Sequence, residues 1–211
     1  AGGDRRALWG HRPFIAAADA WIKTQGLTLD DNVPTILPAA DMMAQVAEFL
    51  RSLPRPVTII NLFAADPARR WPIDHAKITL KQLANQIGGS LVLNAGPDAI
   101  NYHNSILAKW DEPNKTLIDS LRHTPSMARD IALYHAADSY VGVDSFTANL
   151  AFNCNLPATV LFAKAGDALR YKPAISPLYP KTGQSLDSIT PNQIVASVIR
   201  MLASYSKPKH D

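Results

Sequence analysis

Residues 139–162, SYVGVDSFTANLAFNCNLPATVLF, decide how the rest of the chain is read. Ser139 to Val143 is a short β-rich run, and Ala158 to Phe162 is a second one that follows Leu156-Pro157. Between them, Ser145 to Phe152 carries apolar residues in a helical stretch. Strand, helix and strand in this order make one βαβ unit with its strands parallel. Asp144 and Ser145 fall where the first strand gives way to the helix.

The same alternation extends upstream. Val57 to Phe63, Ser90 to Ala95 and Lys115 to Asp119 read as strands, and His75 to Ile87, Ala99 to Trp110 and Pro125 to Ala137 as helices. Downstream, a long Pro-rich loop leads to a last helix, Pro191 to Tyr205. Thr190 is its N-cap, proline takes the first helical position, and Gln193 completes a capping box. The expected fold class is α/β, a Rossmann-like parallel sheet of about five to six strands with helices on both faces. Residues 1–55 differ: Phe14 to Gln25 and Ala39 to Leu53 read as two helices joined by a linker, with no strand beside them. They form a helical segment ahead of the Rossmann-like domain, residues 56–211, and pack either on that domain or on one preceding it.

Composition narrows the function classes. A chain of 211 residues, 47% hydrophobic and 18% charged, can bury a sizeable core. The net charge of +3 with no block of like charges argues against a nucleic-acid surface. No apolar run reaches the ~20 residues that span a bilayer, and the N-terminus lacks the pattern of a signal peptide. The single cysteine, Cys154, rules out an internal disulfide and fits a reducing compartment. It reads as a buried structural thiol. His75, His103, His123 and His135 have no metal spacing and read as surface or partly buried residues. The P-loop, the dinucleotide fingerprint and the hydrolase elbow are all absent.

In parallel sheets ligands bind beyond the carboxyl ends of the strands, so the loops there hold the candidates. At Asp144 to Thr147, free helical N–H groups and two hydroxyls converge on an anion site, or else Asp144 or Ser145 is an ordinary N-cap. At Ala64 to Pro72, Arg69 and Arg70 precede Trp71-Pro72; arginine forks match phosphate oxygens, and Trp71 reads as a packing residue. At Ala95 to Ala99, Gly96-Pro97 makes a turn, with Asp98 a candidate cap for the next helix.

The ordered set of these features resembles a known family. It comprises a helical stretch from Ile22 to Leu27, Ala68-Arg69-Arg70-Trp71-Pro72, the Gly96-Pro97 turn and the Asp144-Ser145 helix start. It continues through Asn155-Leu156-Pro157, the Leu161-Phe162 strand end and a helix entered at Ile189-Thr190-Pro191. The chain is similar to the C-terminal part of glycosyltransferase family nine, the lipopolysaccharide heptosyltransferases and their relatives. That resemblance implies a GT-B architecture, with the donor held by the C-terminal domain and the acceptor by the N-terminal one.

It also implies roles. Arg69 stands where the family has a Lys or Arg on the donor phosphates. Asp144, Ser145, Thr147 and Asn149 fall in the family's Asp-(Ser/Thr)-Gly-x-x-His-Leu-x-Ala motif, with Phe146 at the glycine and Asn149 at the histidine. The nucleoside would lie near the loop holding Ser120, His123 and Thr124. The implied donor is a nucleoside-diphosphate sugar resembling ADP-heptose, with no cofactor and no metal. The partner is a glycan or lipid-linked acceptor bound through an N-terminal domain, in the cytoplasm with peripheral contact at the inner membrane face. The family's general base is an acidic residue of that N-terminal domain and has no counterpart in residues 1–55, so no catalytic residue is expected here. Phe146 and Asn149 favour an alternative, a non-catalytic binding or interaction domain that keeps the fold. A third reading, another GT-B enzyme such as a sugar-nucleotide epimerase, lacks the Trp-Pro segment.

Overall fold

Val57–Asn61 is buried at every position, and its side chains divide between two separate cores. Ile59 enters one and Ile60 the other, as the period of two along a strand requires when both faces of a sheet are covered. In the computed structural model, which describes residues 23–26, 36–108, 110–111, 116–120, 126–164 and 175–204, this strand is β1. The others are β2 (Ser90–Leu93), β3 (Thr116–Asp119), β4 (Ser139–Val143), β5 (Ala158–Leu161) and β6 (Ile175–Leu178). All pair in parallel, in the order β3-β2-β1-β4-β5-β6.

Six helices cover the sheet: α1 (Ala40–Arg51), α2 (Ile73–Ile87), α3 (Ile100–Leu107), α4 (Met127–Ala136), α5 (Phe146–Asn153) and α6 (Pro191–Ser204), counted among the described residues. On one face α2, α3 and α6 bring Leu80, Leu83, Ile106, Ile194 and Val198 onto Leu91, Val141 and Leu161. On the other, α1, α4 and α5 bring Val46, Leu50, Tyr134, Leu150 and Phe152 onto Ile59, Val92, Tyr140 and Val160. The described part of the leading segment therefore packs on the sheet domain, through α1 against α4. Gly89 lets the chain turn beneath β1, because a Cβ there would lie 1.9 Å from the Pro56 carbonyl oxygen. At the far end the capping box forms: the Thr190 hydroxyl accepts from Gln193 N–H at 3.3 Å, and Gln193 Oε1 accepts from Thr190 N–H at 2.8 Å.

Two expectations change. The Pro-rich loop contains β6, hidden because Pro177 sits inside it. The strand lies at the sheet's edge, where a residue without an N–H is tolerated, and Ser176 fastens it to Ser197 of α6 at 2.9 Å, the same hydroxyl that Thr159 of β5 meets at 3.1 Å. His103 is not at the surface. It is 1% exposed and joins α3 to the end of β3 through a 2.8 Å hydrogen bond between Nδ1 and Asp119 Oδ1.

Candidate functional site

The strand order reverses between β1 and β4, so the loops leaving these neighbours diverge to opposite faces and open a crevice at their carboxyl ends. A cavity of about 370 Å³ fills that crevice. Its walls come from Asn61 and the loop after β1, from the Ala95–Asp98 turn after β2, and from Asp144 to Asn149 after β4. The volume is within the range of small-molecule sites.

Asn61, the last residue of β1, organises the floor. Its side-chain amide donates to the hydroxyls of Thr147 and of Ser145, the latter at 3.3 Å, and its Oδ1 accepts from Phe63 N–H at 3.0 Å. Thr147 Oγ1 also bonds the Tyr140 hydroxyl and Ser145 Oγ, each at 2.9 Å. A hydroxyl can donate once and accept twice, so these partners use the whole capacity of Thr147. Gly142 makes this geometry attainable. A Cβ there would lie 2.0 Å from Tyr140 Oη and 2.6 Å from the Asn61 carbonyl oxygen.

Above the floor, Ser145 occupies the N-cap position of α5, yet its side chain makes no capping bond. Its hydroxyl belongs to the Asn61–Thr147 cluster, which leaves the first-turn N–H groups of α5 uncapped by a side chain. Arg69 also lines the pocket, donating from Nη1 to the Asp144 carbonyl at 3.2 Å, with Asp144 Oδ2 3.8 Å from Nη1 and Asp66 Oδ2 3.4 Å from Nε. Its guanidinium offers more donors than these contacts consume, and the side chain is 40% exposed. The Asp144 side chain is only 5% exposed, so Arg69 offsets a buried carboxylate as well as facing the cavity. Asp98 adds a second carboxylate to the wall, with no ion-pair partner among the described residues.

No protein-family model matches the sequence, and no curated protein matches it. Solved structures do. The chain is similar to E. coli ADP-heptose lipopolysaccharide heptosyltransferase II, with a TM-score of 0.72 and 22% identity over 85% of this chain and 56% of that one. It is similar to a family 9 glycosyl transferase from Veillonella parvula, with a TM-score of 0.81 and 14% identity over 97% and 63%. E. coli heptosyltransferase WaaC, solved with ADP, gives a TM-score of 0.63 and 14% identity over 88% and 55%. The chain has a heptosyltransferase-like, family nine glycosyltransferase fold. It spans less than two thirds of the length of each of these proteins.

Within this domain, Arg69, Asp144, Ser145, Thr147 and Asn149 all line the same pocket. Their chemistry is not uniform. The Asn149 amide donates back to the carbonyl of the N-cap Ser145 at 3.0 Å, and Thr147 is structural. Ser120 does not reach the pocket walls. Its hydroxyl accepts from Asn94 Nδ2 at 3.1 Å, in a cluster where Asn94 also donates to Asp130 at 3.1 Å and accepts from the Tyr134 hydroxyl at 2.9 Å. His123 and Thr124 lie outside the described residues. Asp98 caps no helix, since α3 is preceded by Ala99 and has no side-chain cap. Arg70 turns away, donating to the carbonyls of Ala64 and Ala65 at 3.0 and 3.3 Å and lying 4.4 Å from the centre of the Phe63 ring.

Asn61 is the residue that local reading passes over; its only signal is a side-chain amide closing a fully buried strand. Trp71 is completely buried, and the Cys154 thiol is buried with its pKa pushed up to about 12. Among the described residues no group of three or more His, Cys, Asp or Glu could hold a metal ion, and no helix is long and apolar enough to cross a membrane.

Proposed function

We propose that the chain is the donor-binding domain of an inverting glycosyltransferase, taking a nucleoside-diphosphate sugar such as ADP-heptose. One observation carries this reading: the pocket at the β1–β4 reversal has both Arg69 and the uncapped first turn of α5 in its walls. A diphosphate bound there meets a cation and the positive end of a helix. In transfer the diphosphate departs, so both groups stabilise charge that grows toward the transition state. Two of the similar structures, named as solved with ADP and with ADP-2-deoxy-2-fluoro heptose, support the ligand class. On this reading the proton-accepting carboxylate and the glycan or lipid-linked acceptor belong to an N-terminal domain of the whole protein. The work is done in the cytoplasm at the inner membrane face, in lipopolysaccharide or related glycan synthesis.

Titration calorimetry tests it with ADP, UDP and their sugar conjugates. Binding tighter than ~1 mM, weakened at least ~10-fold by Arg69→Ala, is the expected result. A second reading, a domain that keeps the fold without transfer chemistry, draws on Phe146 at the first turn of α5 and on Asn149, whose amide donates to the Ser145 carbonyl and carries no charge. No binding by any of these ligands would favour it.

A further inference from the structure

Phe146 is 60% exposed and lines the pocket. Among the described residues it is the one aromatic side chain in the exposed class. A single exposed apolar residue is ordinary, but one set into the wall of a pocket with Arg69, Asp98, Asp144 and Asn149 is not. The ring is the first residue of α5, beside the N–H groups proposed to face a diphosphate.

Accepting the donor-site reading, we infer that Phe146 is the platform on which the sugar of the bound donor stacks. A diphosphate at Arg69 and the first turn of α5 lies beside the Phe146 ring, and the strand order leaves the β2 side of the pocket, at Ala95, Gly96 and Asp98, for the nucleoside. A sugar awaiting transfer must stay within reach of an acceptor, which puts it at the exposed end that Phe146 marks. The C–H face of a pyranose is weakly positive and matches the negative face of the ring. Phe146 then separates sugar-bearing donors from the bare diphosphate.

The test measures ADP, UDP, ADP-glucose and UDP-glucose on the unaltered chain and on Phe146→Leu and Phe146→Tyr. Because the side chain is exposed, thermal melts of both variants are expected to match the parent. Phe146→Leu is expected to weaken the sugar conjugates about 10-fold and leave ADP and UDP within about 2-fold, with Phe146→Tyr close to the parent. Equal losses for conjugates and bare diphosphates would overturn the inference by placing the ring on the nucleoside. Unchanged affinity for the conjugates would overturn it as well. If ADP and UDP fail to bind even the unaltered chain, the donor-site reading falls and takes this inference with it.

Discussion

The side-chain amide of Asn61 reaches across the β1–β4 reversal to the hydroxyl of Thr147, 86 residues further along the chain. That bond sets where α5 begins relative to β1, because the same amide also holds Ser145 and Thr147 holds Tyr140. All four side chains are inside or at the edge of the buried core, so a lost partner is not replaced at no cost by water.

Asn61→Leu is expected to lower stability by about 2–4 kcal/mol, because it strands the Phe63 N–H and removes a donor from two hydroxyls. Thr147→Val removes the shared acceptor and is expected to cost a similar amount. Urea denaturation of both single variants and the double variant checks the coupling. The double variant should lose clearly less than the sum, and full additivity would mean that the two residues do not act as a unit.

Gly142→Ala places a methyl group 2.0 Å from Tyr140 Oη. Removing the hydroxyl alone should not rescue it, since Tyr140 Cζ at 2.4 Å and the Asn61 carbonyl oxygen at 2.6 Å still obstruct. The expected result is a loss of at least about 2 kcal/mol in Gly142→Ala, with little recovered by adding Tyr140→Phe. Full recovery would show that the backbone around Asn61 yields more easily than a central strand should.

The two adjacent arginines are expected to separate cleanly. Arg69→Ala should reduce nucleoside-diphosphate affinity at least ~10-fold and also lower the melting temperature, because it leaves the buried Asp144 carboxylate without its cation. Arg70→Ala should leave affinity intact and cost about 1 kcal/mol of stability, through its bonds to Ala64 and Ala65 and its stacking on Phe63. Calorimetry and thermal melts on both variants decide this, and the reverse pattern would exchange their roles.

His103 predicts a pH dependence. Burial pushes its pKa below the ordinary 6.5, against an opposing pull from the Asp119 carboxylate bonded to it. The unfolded chain therefore takes up this proton first as pH falls. The contribution is full above 6.5 and is lost as pH drops from 6.5 toward the lower folded-state value, with a slope on the order of 1 kcal/mol per pH unit. Urea midpoints across that window should fall more steeply for the parent than for His103→Gln. Parallel profiles would assign the acid sensitivity to other groups.

By itself the sequence determined the class of fold and the helices and strands other than β6. Side-chain period, the Thr190–Gln193 box and the alternation of strand and helix are local properties, carried by neighbouring residues. Local reading also brought Arg69 and Asp144 to one pocket, because both follow strands of a parallel sheet. Tertiary structure alone decided the strand order, the edge position that admits Pro177, and the exclusion of Ser120 from the pocket walls. It also decided that Thr147 is spent internally and that Phe146 stays exposed at the pocket. The reason is physical: a hydroxyl's free capacity, and the side of a ring that meets water, depend on partners brought near by folding and far away along the chain.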